Sequence, residues 1–269
     1  MRRSLVLLLF GVVAMLPAMQ TPALADADAL LNACLTQNPA FTTDDLSGIA
    51  SPCAVPKGTL LLETLYYQNA SRIGGTALAA YPLFRLRTGI ARGLEAFVDA
   101  PSQIAESGEH GVGLYPTTHF GYGLNYTIAS NERMASAVGI EAVPPNSRFN
   151  VSENQAKYVV DLTAGYQLSA RATLSAIATA ASSLVVGFQR VDPAAAVRYA
   201  YDTSASTQVS TDFGERIVAK HAVAQSYGDV AVNQRLGKNT TFDVGLGTTF
   251  NMVSNAKAHY LASGFNIHL

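Results

Sequence analysis

The sequence predicts an all-β protein, a transmembrane antiparallel up-and-down β-barrel of about twelve strands (alternatively ten), with a short N-terminal periplasmic segment. Three observations predict it. The chain opens with an export signal, its later segments alternate apolar and polar residues with a period of two, and the turns between those segments alternate between short and long.

The export signal comes first. Arg2 and Arg3 form a basic start, Leu5 to Leu16 is an apolar run, and Ala23-Leu24-Ala25 is a small-x-small cleavage site. Residues 1–25 read as a signal peptide cut after Ala25; the alternative is an uncleaved N-terminal anchor. Removing Arg2 and Arg3 from 18 basic residues leaves 16 against 19 acidic ones, a net charge of −3. A chain without a basic excess is not built for nucleic acid.

Of the 269 residues, 49% are hydrophobic and 14% charged, so membrane helices must be looked for. The one stretch worth testing is Ala172 to Gln189, uncharged between Arg171 and Arg190. Its length is at the lower limit for a span. It is dotted with Thr173, Ser175, Thr179, Ser182 and Ser183, is rich in Ala, and reads as a strand running into a loop.

The alternation is clearest in four places. Thr118, Phe120, Tyr122, Leu124, Tyr126 and Ile128 share one face, with His119, Gly121, Gly123, Asn125 and Thr127 on the other. Tyr158, Val160, Leu162, Ala164, Tyr166 and Leu168 oppose Lys157, Asp161, Thr163, Gly165 and Gln167. Phe242, Val244, Leu246, Thr248 and Phe250 oppose Asp243, Gly245, Gly247, Thr249 and Asn251, while Val230, Val232 and Leu236 oppose Asp229, Asn233 and Arg235. The segments are long for soluble sandwiches and suit a tilted membrane strand. Aromatic residues at the ends of the apolar faces suit an interfacial girdle.

Strands are predicted at 58–69, 81–91, 93–101, 117–129, 133–143, 157–169, 171–182, 222–237, 239–251 and 257–268. Short turns fall at 91–93, 130–132, 169–170 and 237–239; long connections at 69–79, 101–116, 144–156 and within 183–222. The stretch 183–221 is either one external loop or a further strand pair. Thr207, Val209, Thr211 and Phe213 favour the pair, hence twelve strands. The barrel is assigned to 57–269. Residues 26–56 lack alternation and hold Cys34 and Cys53, which an oxidising periplasm would pair. They read as a disulfide-tied periplasmic segment or a partial plug, with a disordered leader as the alternative.

The chain ends Gly264-Phe265-Asn266-Ile267-His268-Leu269, similar to the closing strand of outer-membrane barrels, although Phe is more usual last. Together with Glu63-Thr64-Leu65-Tyr66-Tyr67, Asp161 to Tyr166 and Asp243 to Gly247, the region from Gly58 onward resembles the outer-membrane transporter-like family linked with the meta-pathway of phenol degradation. The resemblance implies an outer-membrane channel and brings no established catalytic residues to carry over. It further implies outer-membrane lipid as surroundings, apolar or aromatic compounds as small solutes, and barrel-assembly machinery as a partner of the C-terminal strand.

Alternation points Arg85 and Arg87 inward on one strand and Glu95 and Asp99 inward on the next. His119, Asn125, Asp161, Asp229, Arg235 and Asp243 complete the candidate lumen lining. Such charges either select solutes or fill a narrow barrel with internal salt bridges. Two other classes compete with a pore. An outer-membrane lipid hydrolase needs a nucleophile and base in contact; His259 and Ser263 lie four residues apart on one strand, and no G-x-S-x-G or H-E-x-x-H occurs. A secreted soluble β-sandwich binding protein would alternate equally well, and only strand length and turn asymmetry argue against it. No catalytic residue, metal site or cofactor is expected.

Overall fold

The computed structural model describes Cys34 and residues 50–71, 77–100, 103–108, 111–116, 120–144, 157–185, 188–218, 223–251 and 257–269. The described residues form fourteen strands: β1 (Leu60–Ser71), β2 (Ala77–Ala91), β3 (Leu94–Ala100), β4 (Gln103–Gly108), β5 (Gly111–Pro116), β6 (Gly121–Ser130), β7 (Met134–Val143), β8 (Lys157–Ser169), β9 (Ala172–Val185), β10 (Phe188–Asp202), β11 (Thr207–Val218), β12 (Val223–Arg235), β13 (Thr240–Asn251) and β14 (Lys257–His268).

They make a closed twelve-stranded antiparallel barrel, because two staves are each broken once. β3 pairs with β2 from Phe84 to Ala91, and β4 continues along β2 from Ala77 to Tyr81. The next stave is broken in step: β6 pairs with β3 and β5 with β4. The sequence puts Pro101 between β3 and β4 and Pro116 at the end of β5, where a residue without an N–H interrupts a ladder at least cost. Neighbours in sequence pair in order from β6 to β14, and β14 then pairs with β1 along Leu61↔His268 to Ser71↔Ala258. That last ladder closes the sheet.

Some sequence expectations are borne out, the strand pair within 183–221 and the strand reading of 172–182 among them, and others are corrected. Residues 101–116 are not a loop: β4 and β5 build a hairpin that extends the wall. The uncertain stretch resolves as β10 and β11, which pair over Ala194↔Arg216 to Asp202↔Gln208. β9 runs to Val185 as a strand, so the stretch tested as a helix is not one. The first strand begins at Leu60 rather than 58 and extends to Ser71, and the second begins at Ala77 rather than 81. Long tilted staves continue past the lipid into the external rim, beyond where sequence alternation marks their ends.

The pleat sorts the side chains. Phe84, Leu86, Val98, Tyr122, Leu124, Tyr126, Ile140, Val160, Tyr199, Phe213, Val230, Leu246 and Phe265 point outward and are exposed. In water such a belt would be prohibitive, while in lipid it is the required surface. Phe242 and Phe265 meet directly across β13 and β14, ring centroids 4.9 Å apart, near the end where the strand region starts and finishes. With its apolar exterior, closed ladder and polar interior, the chain is an outer-membrane β-barrel of the bacterial type.

Three inward aromatic rings are accommodated by glycines directly opposite them: Phe97 by Gly123, Tyr227 by Gly214 and Tyr260 by Gly247. A Cβ on Gly123 would lie 2.3 Å from the Phe97 ring. Each ring covers the bare backbone of its glycine and lies along the wall instead of blocking the lumen.

Closure makes β14 indispensable. A mature chain lacking residues 257–269 leaves β1 and β13 as open edges in lipid. It is expected to lose the boiling-dependent shift in gel mobility that is expected of the full mature chain in detergent. A truncated chain that keeps the shift would contradict a closed barrel.

Candidate functional site

The interior is polar by construction: every second residue of each stave points inward, and these are mostly Gly, Ala, Ser, Thr, Asn, Asp, Glu and Arg. Near the periplasmic end Arg87 is 1% exposed. Its Nε and Nη2 donate to the two oxygens of Glu95, each at 3.0 Å, and Nη1 donates to Glu63 at 3.0 Å. One planar guanidinium thus holds two buried carboxylates from the strands on either side, a geometry that a lysine would not reproduce.

This cluster also receives the chain that precedes β1. Ser51, Cys53 and Val55 are buried inside the barrel. The Val55 N–H donates to Glu95 Oε2 at 2.6 Å, and the Ala54 N–H to Thr127 Oγ1 at 2.9 Å. Asn125 Nδ2 donates to the Ser51 carbonyl at 3.3 Å, and Arg87 Nη2 to the Cys53 carbonyl at 3.4 Å. These bonds satisfy a backbone that has no sheet partner of its own. Gly89 provides the seat: a Cβ there would lie 2.3 Å from the carbonyl oxygens of Val55 and Pro56. The chain then turns into β1 through Gly58, whose φ of 78° suits the third position of a tight turn closed by Thr59 N–H on the Pro56 carbonyl at 3.0 Å.

Cys53 is disulfide-bonded to Cys34, and the pair packs on Ala135 of β7. Ala50 packs on the cluster of Ile177 and Ala196, from β9 and β10, against which Tyr227 of β12 also packs. Residues 50–56 therefore cross the interior from that wall to the wall made by β2, β3 and β6.

Two further polar groups lie beyond this level. Arg85 binds Asp99 in a fork, Nε–Oδ1 2.7 Å and Nη2–Oδ2 2.9 Å, with Glu141 at 3.8 Å and the Phe97 ring under its guanidinium at 4.7 Å. On the other wall Arg198 binds Asp212 through Nε at 3.0 Å and Nη2 at 3.3 Å. Asp229 lies directly opposite Asp212 and accepts from the Tyr260 hydroxyl. Asp243 accepts from Asn233 and, at 2.6 Å, from Asn266.

The sequence-predicted residues separate accordingly. Arg87, Glu95 and Asn125 come together around residues 51–55, Arg85 joins Asp99, and Asp229 and Asp243 share the opposite wall. Asp161 faces inward beside Asn125, across Gly139. Arg235 stands exposed at the periplasmic end of β12, where its N–H donates to the Ser206 carbonyl at 2.7 Å. His119 lies outside the described residues. His259 is exposed on the outer face of β14, on the same side as Ser263. Sequence reasoning missed Glu63, Glu141, Arg198, Asp212 and Tyr260. Glu63 carried a usable signal, because it is a lone acid between Leu62 and Thr64 in an apolar strand; Arg198 and Asp212 lay in the stretch whose register alternation did not settle.

No known family's sequence profile matches this chain, and no curated relative matches it. Solved structures do. An outer-membrane channel from Pseudomonas putida F1 superposes with a TM-score of 0.60 at 13% identity, over 81% of this chain and 97% of that one. The NanC porin superposes with a TM-score of 0.50 at 9% identity, over 77% of this chain and 100% of that one. At these identities the likeness establishes the shared barrel fold.

The Arg87 cluster yields a stability prediction. Arg87→Leu leaves Glu63 and Glu95 buried without their cation, which typically costs about 3 kcal/mol or more. Urea unfolding from lipid vesicles is expected to show that loss, and adding E63Q and E95Q is expected to recover much of it. An unchanged midpoint for R87L would mean that the cluster does not hold the wall together.

Proposed function

We propose that the protein is an outer-membrane channel for small solutes, with residues 50–56 narrowing its periplasmic half. The observation that carries this reading is the interior itself. It is a closed, polar, charge-bearing lining inside an apolar exterior, with one stretch of chain seated across it. A barrel serving only as an anchor has no need of paired arginines and carboxylates along its inner face. The lining argues for polar solutes more than for the apolar or aromatic ones that the family resemblance suggests, and the link with phenol degradation rests on that resemblance alone. The likeness to porins and channels supports the pore reading at the level of architecture.

A specific feature supports the role given to residues 50–56. Bonds to Arg87, Glu95, Asn125 and Thr127 fasten them to the β2, β3 and β6 wall, and the Cys34–Cys53 bond, packed on Ala135, ties Cys34 to the same segment. They form a fitted insert and not a loose leader.

Conductance in planar bilayers tests both points. The mature chain is expected to give small, steady single-channel steps. Gly89→Val, which puts a branched side chain where the Val55 and Pro56 carbonyls sit, is expected to give steps at least about twice as large while the boiling shift is retained. No conductance from either protein, with folding verified by the shift, would rule out the channel; equal conductance from both would rule out residues 50–56 as the constriction.

A further inference from the structure

The charges are spread unevenly along the barrel axis. Five short turns and the entry into β1 make the periplasmic rim, and all of them are described. This rim carries Lys57, Arg92, Arg133, Arg171, Arg235 and Lys238, every one exposed. Only two acidic side chains, Glu132 and Asp202, lie there. Asp202 is turned away from the lipid, since it stands opposite Gln208 on the inner face and accepts from the Gln208 amide at 2.7 Å. The rim is therefore basic on a chain that holds 19 acidic residues and has a mature net charge of −3.

These cations sit just past the lipid-facing belt. Arg92 follows Ile90 by two residues, Lys238 follows Leu236 by two, and Arg171 follows Leu168 by three. The three apolar side chains are 47%, 59% and 50% exposed and mark the periplasmic edge of the belt. Two or three residues of extended chain reach roughly 7 to 10 Å. A headgroup layer adds about 5 to 8 Å on each side of the hydrocarbon. The cationic tips thus stand at the level of the phosphates, with their aliphatic stems free to lie along the belt. Among the described residues, Lys57, Arg133, Arg171 and Lys238 have no ion-pair partner.

One place on the rim is shaped as a seat. A notch of about 240 Å³ between the β6–β7 and β8–β9 turns is lined by Glu132, Arg133, Gln167, Leu168, Ser169 and Ala170. Its walls are fixed. Asn131 Oδ1 accepts from the N–H groups of Arg133 and Met134, both at 2.9 Å, and the Gln167 N–H donates to the Arg133 carbonyl at 2.7 Å. Leu168 gives the notch an apolar side, and Arg133 with the adjoining Arg171 outweighs Glu132 in charge.

We propose that the periplasmic rim binds the headgroups of anionic phospholipids in the inner leaflet, with the notch beside Arg133 and Arg171 as the seat of one phosphate. The cations occupy four of the five turns and the entry into β1, so they surround the barrel. A bilayer leaflet meets such a ring from every side, whereas a docked protein would cover one arc of it. Each cation adds to the attraction of an anionic lipid surface. This binding holds whether or not the lumen conducts.

Spin-labelled lipids test it on the folded mature protein in phosphatidylcholine vesicles. In the lipid immobilised at the protein surface, labelled phosphatidylglycerol is expected to be enriched at least about twofold over labelled phosphatidylcholine. Salt at about 1 M is expected to remove the enrichment. Lys57→Gln, Arg133→Gln, Arg171→Gln and Lys238→Gln together are expected to bring the ratio close to one with the boiling shift retained. Arg133→Gln with Arg171→Gln covers the case in which the fourfold variant does not fold, and is expected to lower the ratio measurably. Equal amounts of the two labels at the wild-type surface, or an enrichment unchanged in a folded variant, overturn the proposal. A wild-type ratio of one that rises when Asp26, Asp28, Asp44 and Asp45 are replaced by asparagine also overturns it, because the chain's own N-terminal segment is then what covers the rim. Inorganic phosphate at matched ionic strength is expected to leave the enrichment unchanged, and its loss would assign the rim to free phosphate instead of lipid.

Discussion

A strand in lipid cannot leave its amides unpaired, and the structure is organised around that constraint. The hydrocarbon core offers no hydrogen-bond partners, so the last strand must find the first. The β14–β1 ladder meets the requirement over eleven register pairs, from Leu61↔His268 to Ser71↔Ala258. The Leu269 N–H adds a final bond to the Leu60 carbonyl at 2.8 Å. The two breaks in the wall, between β3 and β4 and between β5 and β6, lie in step on neighbouring staves, so the pairing resumes along β2 beyond them, with β5 carried on β4.

Closure inverts the usual distribution of side chains. The large apolar residues face out, and the interior must be stabilised by other means. The barrel uses guanidinium–carboxylate forks and aromatic rings laid against glycines. Such ion pairs do not make a protein more stable than hydrocarbon packing would. Their value is directional: each fork joins neighbouring strands at one register, since a slip by one residue would turn Arg87 or Arg198 towards lipid.

The N-terminal segment links this interior to the proposed activity. Arg87 is at once a bridge between Glu63 and Glu95 and a donor to the Cys53 carbonyl, so the cluster that braces the wall also holds the insert. The segment's backbone bonds go to the β2–β3–β6 side, while Ala50 at its start packs against Ile177 and Ala196 on the opposite wall, so the insert spans the interior.

The sequence by itself determined the barrel, the outward and inward faces of most strands, and the pairing of two cysteines. The faces are local: a period of two survives in any register. Twelve staves over ten was also legible, through Thr207, Val209, Thr211 and Phe213 and the parity that a closed barrel imposes. Only the tertiary structure decided the pairing. That Glu63 meets Arg87, that Arg198 meets Asp212, and that residues 50–56 rest on Gly89 depend on register and on closure across the chain. Residues 101–116 failed for the same reason. Glycine and proline in that stretch signal a loop locally, and only the edge offered by the outer half of β2 makes two strands of it. Alternation tells which way a side chain points, while the cross-strand hydrogen-bond ladder tells what it meets.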